Sequence, residues 1–266
     1  MTRVGELYAS QGVTSITDAT PTNDVSSAAL LGRLPQRVRV MGPLDLATNG
    51  EVKLMLDDDA LPPLVRAQAL VRDAHAAGRA VAVHCVTLVQ LWFAIEMFRA
   101  VGVIGDRVEH ASVAPPEAIV ALRELGLHVV TQPAFVAERG DHYRRDVDPA
   151  DRPSLYPLRS LLRAGVPLRG SSDAPFGSAD CWAAMRAAVD RRTAEGTTLL
   201  PSERLTPGEA LALFSGGPNG VAIGTRADLA ILAAPFAVAI RELDACNVAA
   251  TVISGRIVAE GPQRTG

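Results

Sequence analysis

A chain of 266 residues, 48% hydrophobic and 21% charged, is long enough for one large α/β domain with a substantial core. Its 26 basic and 29 acidic residues leave a net charge of -3, which argues against nucleic-acid or acidic-membrane partners. Cys85, Cys181 and Cys246 are too few and too scattered for a disulfide framework. No apolar run approaches about 18 residues and MTRVGELYASQG is no leader, so the expectation is a cytoplasmic protein.

Taken in chain order, a helix-like GELYASQ stops at Gly12, and GVTSITD (12–18) reads as the first strand. RVRVMG (37–42) and VKLMLD (52–57) are the next two. LVRAQALVRDAHAA carries Leu64, Ala67, Val71 and Ala74 at helical spacing and ends at Gly78. AVAVHCV is the fourth strand. After it, residues 88–98 are apolar nearly all round, the character of a helix that is buried, with part of it set against a second copy of the chain. RVEHAS is the fifth strand, PPEAIVALRELG a helix with proline in its first turn, and LHVVTQP (127–133) the sixth strand.

AFVAERGDHYRRDVDPADRPS, lacking any amphipathic pattern, reads as a long loop, of the kind that is either an active-site lid or disordered. A helix marked by Leu158, Leu161 and Leu162 follows, then VPLRGSSD (166–173) as the seventh strand. WAAMRAAVDRRT and TPGEALALFS are helices, the second with a capping box from Thr206 and Glu209. RADLAILAAP and NVAATVISGRIVAEG are strands that no longer alternate with helices and should pair in a small separate sheet, with SGR as a hairpin turn. The organisation expected is a parallel α/β domain over 1–220 and a β segment over 221–266.

His84 and His110 end two of these strands, 26 residues apart, about one unit of a (β/α)8 barrel in which roughly 250 residues make eight units. Both imidazoles would then sit at the carboxyl ends of neighbouring strands, where such barrels keep their chemistry. Lys53 lies 31 residues before His84 and Asp173 lies 63 after His110, close to one and two further units. A lysine in an apolar strand is costly to bury as an ammonium. Either its amine reaches solvent, or carboxylation by carbon dioxide turns it into an oxygen ligand for a metal. Asp173 in GSSDAP suits a helix N-cap as well as a general base. Seven strands, where a closed barrel needs eight, leave an open doubly wound sheet as an alternative architecture.

RVEHASVAPPEAIVALRELGLHVVTQP, LRSLLRAGVPLRGSSDAPFG, LTPGEAL and TRADLAIL, in this order, resemble the metal-dependent amidohydrolase superfamily, nearest its YtcJ-like branch. The resemblance implies a (β/α)8 TIM-type barrel plus a small β-sandwich, of which this sequence displays barrel strands two to eight and the C-terminal sandwich part. It implies carboxylated Lys53, His84 and His110 as ligands of a divalent metal, zinc by preference, with Asp173 as a metal-linked general acid and base. The family's first-strand His-x-His pair has no counterpart here, and HCVT stands where a Gly-Asp pair is common. The remaining set, three protein ligands plus water, composes an open catalytic zinc site, so one ion is expected rather than two.

The function implied is hydrolysis of a C–N bond, amide or cyclic-amide-like and not peptidic, by metal-activated water acting on a small-molecule substrate. Gln132, Arg139, Asp141, His142, Tyr143 and Arg145 are candidates for substrate contact, whereas His75 and His128 read as structural. The competing expectation is a shortened or degenerate relative without activity, acting as a binding protein or as a subunit completed by a partner.

Overall fold

The computed structural model of the protein describes residues 1–215 and 221–261. Each valine- and isoleucine-rich run becomes a strand. After α1 (Thr2–Ser10) come β1 (Ser15–Asp18), α2 (Val25–Leu31), β2 (Arg37–Val40), β3 (Val52–Leu54), α3 (Leu64–Ala76), β4 (Val81–Cys85), α4 (Leu88–Val101), β5 (Arg107–His110), α5 (Pro116–Leu125) and β6 (His128–Thr131). Then follow α6 (Ala134–Asp146), α7 (Leu158–Ala164), β7 (Leu168–Gly170), α8 (Cys181–Asp190) and α9 (Pro207–Phe214).

β1 pairs parallel with β2, and β3 through β7 form one parallel ladder in chain order. A parallel bridge between Gly42 and Val52 joins the two groups. Seven parallel strands in sequence order with helices outside are the architecture of a (β/α) barrel. β1 and β7 end the order, with no ladder between them among the described residues. Across that seam the indole Nε1 of Trp182 donates to Gln11 O at 2.9 Å, and Cys181 N donates to Gln11 Oε1 at 3.3 Å, tying the end of α1 to the start of α8.

The helices bury apolar stripes against the sheet. α4 starts at a capping box from Thr87 and Gln90 and buries Leu91, Ala94, Ile95, Met97 and Phe98, while Val89 stays exposed; burial accounts for most of its apolar character. At the amino ends of the strands the buried charges are matched. Asp106 accepts from Val81 N, Ile104 N and His75 Nε2, which gives His75 its structural role. Arg79 donates to five backbone oxygens, those of Pro43, Leu44, Leu46, Gly50 and Glu51.

Two readings of the sequence are corrected. The supposed loop after residue 133 is α6 for its first 13 residues, followed by a 3-10 turn at Arg152–Ser154. It has no hydrophobic stripe because Gly140 and Asp141 occupy buried positions beside Ala134, Phe135 and Val136. A Cβ on Gly140 would stand 2.5 Å from Thr193 Cγ2, so the helix packs through a missing side chain instead of an apolar one. The second correction concerns the C-terminal strands. α10 (Phe236–Glu242) separates β8 (Leu229–Leu232) from β9 (Val248–Ile253), which turns at Ser254–Gly255 into β10 (Arg256–Glu260).

These three strands do form their own antiparallel sheet, ordered β10-β9-β8. α1 packs on it, with Thr251 Oγ1 donating to Ala9 O at 2.5 Å. The boundary drawn between 220 and 221 falls beside residues 216–220, outside the described residues. Among the described residues no helix is long and apolar enough to cross a membrane.

Candidate active site

The ladder registers decide which strand residues share the barrel interior. Lys53 pairs with Ala82, Ala82 with Arg107 and His84 with Glu109, so these positions face one way. By the same alternation His110 belongs to the opposite, helix-covered face. It reaches the interior because its backbone turns left-handed, with φ 69° at His110 and 47° at Ala111. The His84 and His110 rings then meet edge to face with centroids 4.5 Å apart. Asp173, beyond β7, also has a positive φ of 54°. Such backbone costs an L-residue about 1–3 kcal/mol and concentrates at working sites.

Lys53 is buried, at 8% exposure. Burial pulls its ammonium pKa down, opposed by Glu109, and it lies within electrostatic reach of Asp173, His84 and His110. Burial first, then the neighbouring cation, lowers His84 to about 4; burial, His84 and Lys53 lower His110 to about 3. Both rings are therefore neutral at ordinary pH, the form in which imidazole binds a metal. Burial pushes the Asp173 carboxyl up and Lys53 draws it back. Two buried polar atoms here, His110 Nδ1 and Gln132 Oε1, complete no hydrogen bond, although Gln132 lies close enough to His110 to draw its pKa back up slightly.

An unpartnered ring nitrogen beside a second neutral imidazole fits a divalent ion. Among the described residues no group of three or more His, Cys, Asp and Glu side chains could hold one. Lys53 lies within electrostatic reach of both rings, and as an amine it offers no oxygen.

A cavity of about 270 Å3 opens beside the histidines, bounded among others by Val86, Ser112, Phe135, Arg139, Tyr143 and Tyr156. Phe135 stacks on His110 at 6.5 Å between centroids, and the Arg139 guanidinium lies 4.1 Å over the Phe135 ring. Arg139 and Tyr143 are four apart on α6 and so share the face toward the cavity. Gln132 is at the site floor, its amide donating to Ser171 Oγ and Val130 O.

The other candidates on α6 are not brought to the histidines. Asp141 accepts from Glu195 N at 2.9 Å, Arg145 pairs with Glu195 at 3.3 Å, and the His142 side chain is 69% exposed. Glu109, Ser112, Phe135 and Tyr156 escaped the sequence reading. Glu109 carried a usable signal, since it sits in the same in-facing register as His84. The other three depend on the chain crossing the mouth.

The profile of the Amidohydrolase family matches residues 54–259. Over 161 residues the chain is 30% identical to an N-substituted formamide deformylase of Arthrobacter pascens, an alignment covering 56% of this chain and 30% of that protein. Over 233 residues it is 28% identical to YtcJ of Bacillus subtilis (strain 168), which bears the name "Putative amidohydrolase", covering 81% and 42%. The chain thus spans less than half the length of these curated relatives. Among solved structures, an uncharacterized metal-dependent hydrolase from Pyrococcus horikoshii OT3 superposes with a TM-score of 0.69 at 21% identity, over 80% of this chain and 52% of that one. That likeness establishes a shared fold.

Proposed function

The chain belongs to the amidohydrolase family, and from that premise we propose that it hydrolyses a carbon–nitrogen bond, amide or cyclic-amide-like and outside the peptide class, with one divalent metal ion, zinc, held by His84, His110 and carboxylated Lys53. The observation that supports this reading is the meeting of two neutral imidazoles, a buried lysine and a carboxylate at one end of the sheet. Burial disfavours the Lys53 ammonium, and the neutral amine is the form that adds carbon dioxide.

When bound, the ion supplies Lewis acidity that lowers the pKa of water and polarises a carbonyl. Asp173 accepts the proton of the attacking water on a carboxylate oxygen and returns it to the leaving nitrogen. Its burial raises the carboxyl toward the range where it can do both. Gln132 orients the substrate through its uncommitted Oε1, and Phe135 with α6 limits water at the His110 side.

Elemental analysis of the purified chain tests this reading. Near-stoichiometric zinc is expected, reduced to background in His110→Ala. A chain without metal, in which added zinc or manganese restores no hydrolysis of any amide, leaves the non-catalytic alternative: a binding protein, or a subunit that a partner completes.

A further inference from the structure

We propose that the cavity between β5 and α6 is a carboxylate-recognition pocket, and that the molecule it receives is an N-acyl amino acid with an apolar or aromatic side chain. That this molecule is hydrolysed rests on the hydrolase reading above; its binding does not.

Arg139 carries the argument. Among the described residues its guanidinium has no carboxylate in ion-pair contact, although it lines a partly buried cavity. The interactions seen are its bond to Phe176 O, its stacking over Phe135, a hydrogen bond to the Tyr143 hydroxyl oxygen and a longer-range attraction to Asp173. Its nearest acidic neighbour in sequence, Glu138, is used in accepting from Ser178 N. A guanidinium has five N–H donors, so some remain beyond those two bonds, and a carboxylate is the acceptor their charge and geometry match.

The hydroxyls of the cavity point the same way. Ser112 Oγ donates to Tyr156 OH at 3.1 Å, and Tyr156 OH lies 3.1 Å from Tyr143 OH. With Ser112 donating inward, the proton order that serves each hydroxyl has Tyr156 donate to Tyr143. The Tyr143 O–H is then left for an acceptor in the cavity, on the same helix face as Arg139. Val86, Val113, Phe135, Val147 and Leu155 make the remaining wall apolar. Charge-assisted recognition at one end and an apolar wall at the other describe an amino acid bearing a hydrophobic side chain. Because Phe135 stacks on His110, a ligand so anchored extends its acylated nitrogen toward the histidines.

The test is calorimetric titration of the full chain, stripped of metal by chelator so that no ion can bind the acid. The probes are N-acetylphenylalanine and its neutral amide, N-acetylphenylalaninamide. The acid should bind tighter by about tenfold or more, the scale of a charge-assisted hydrogen bond. Arg139→Gln should erase the difference and Tyr143→Phe should narrow it, with folding checked by far-ultraviolet circular dichroism. Equal affinity for the two probes, no binding of either, or a preference that survives Arg139→Gln overturns the proposal. Selective binding of the acid by a chain that hydrolyses nothing when zinc is restored keeps this inference and removes the hydrolase reading. Hydrolysis of acids and neutral amides alike does the reverse.

Discussion

The two ends of the same parallel strands treat buried polar groups in opposite ways. At the amino ends, Asp106 has three donors, Arg79 reaches five carbonyl oxygens, and Glu51 lies between Arg39 at 3.0 Å and Arg107 at 3.7 Å. At the carboxyl ends, His110 Nδ1 and Gln132 Oε1 are buried with no partner, and Lys53 is buried where its ammonium form is disfavoured. An unmet buried polar group costs about 1–3 kcal/mol. The closed end spends its polar groups on holding the strands together, and the open end keeps them for something that arrives. Glu109 joins the two, bonded to Arg107 at 2.6 Å below and facing Lys53 above.

The comparison breaks most visibly at Asp173. Asp173→Asn should lower turnover by about 10²–10⁴, the usual share of a general acid–base group, and leave zinc content intact. Unaltered hydrolysis in that variant would remove Asp173 from the mechanism. At the closed end the effect should appear in stability instead. Asp106→Ala strips the partner of His75 and two backbone N–H groups, and should cost about 3–5 kcal/mol in urea unfolding, as breaking a buried pair does. A cost near zero would mean the closed end is not held by its polar groups.

His110→Phe sharpens the contrast. It deletes the unpartnered Nδ1 and keeps a ring against Phe135, so with both chains stripped of metal the unfolding free energy should move by no more than about 1 kcal/mol, while zinc uptake disappears. A loss as large as that of Asp106→Ala would make His110 a structural residue.

The smallest effect is expected at Asp228, where the C-terminal sheet meets the strands. Asp228 accepts from Arg37 Nε at 2.6 Å and from Ser254 N at 2.8 Å, and the Arg37 bond leads in holding its carboxyl below the ordinary value. A lowered folded pKa gives a contribution that is complete above the unfolded carboxylate's pKa, about 3.9, and fades as pH falls through the folded value. Arg37 is 42% exposed, so screening limits the pair to about 1 kcal/mol or less. Asp228→Asn should therefore be slightly less stable than the parent at pH 7 and converge with it in acid. A gap that widens as pH falls would contradict the assignment.

Much of this was readable in the residues. β-branched runs between glycine stops located all seven parallel strands, and Thr206 with Glu209 located the start of α9. Lys53, His84, His110 and Asp173 stood out because strand ends spaced by barrel units converge. α6 was lost for a reason of packing: Gly140 against Thr193 replaces the apolar stripe on which helical periodicity depends. Tyr156 was invisible because its place comes from the buried Arg191, which donates to Leu155 O, Tyr156 O and Leu199 O across long stretches of chain.

What the sequence determined alone is the inventory and its order, which residues form strands and which chemical groups end them, because hydrophobic period and turn chemistry act over a few residues. What only the tertiary structure decided is the aim of those groups. Strict alternation turns His110 away from His84, and helical position alone does not separate Arg139 and Tyr143 from Asp141, His142 and Arg145. A left-handed backbone at His110, and the close seat of α6 on the 193–197 turn, settle both. Such conformations are unfavourable locally and persist because packing from distant segments holds them.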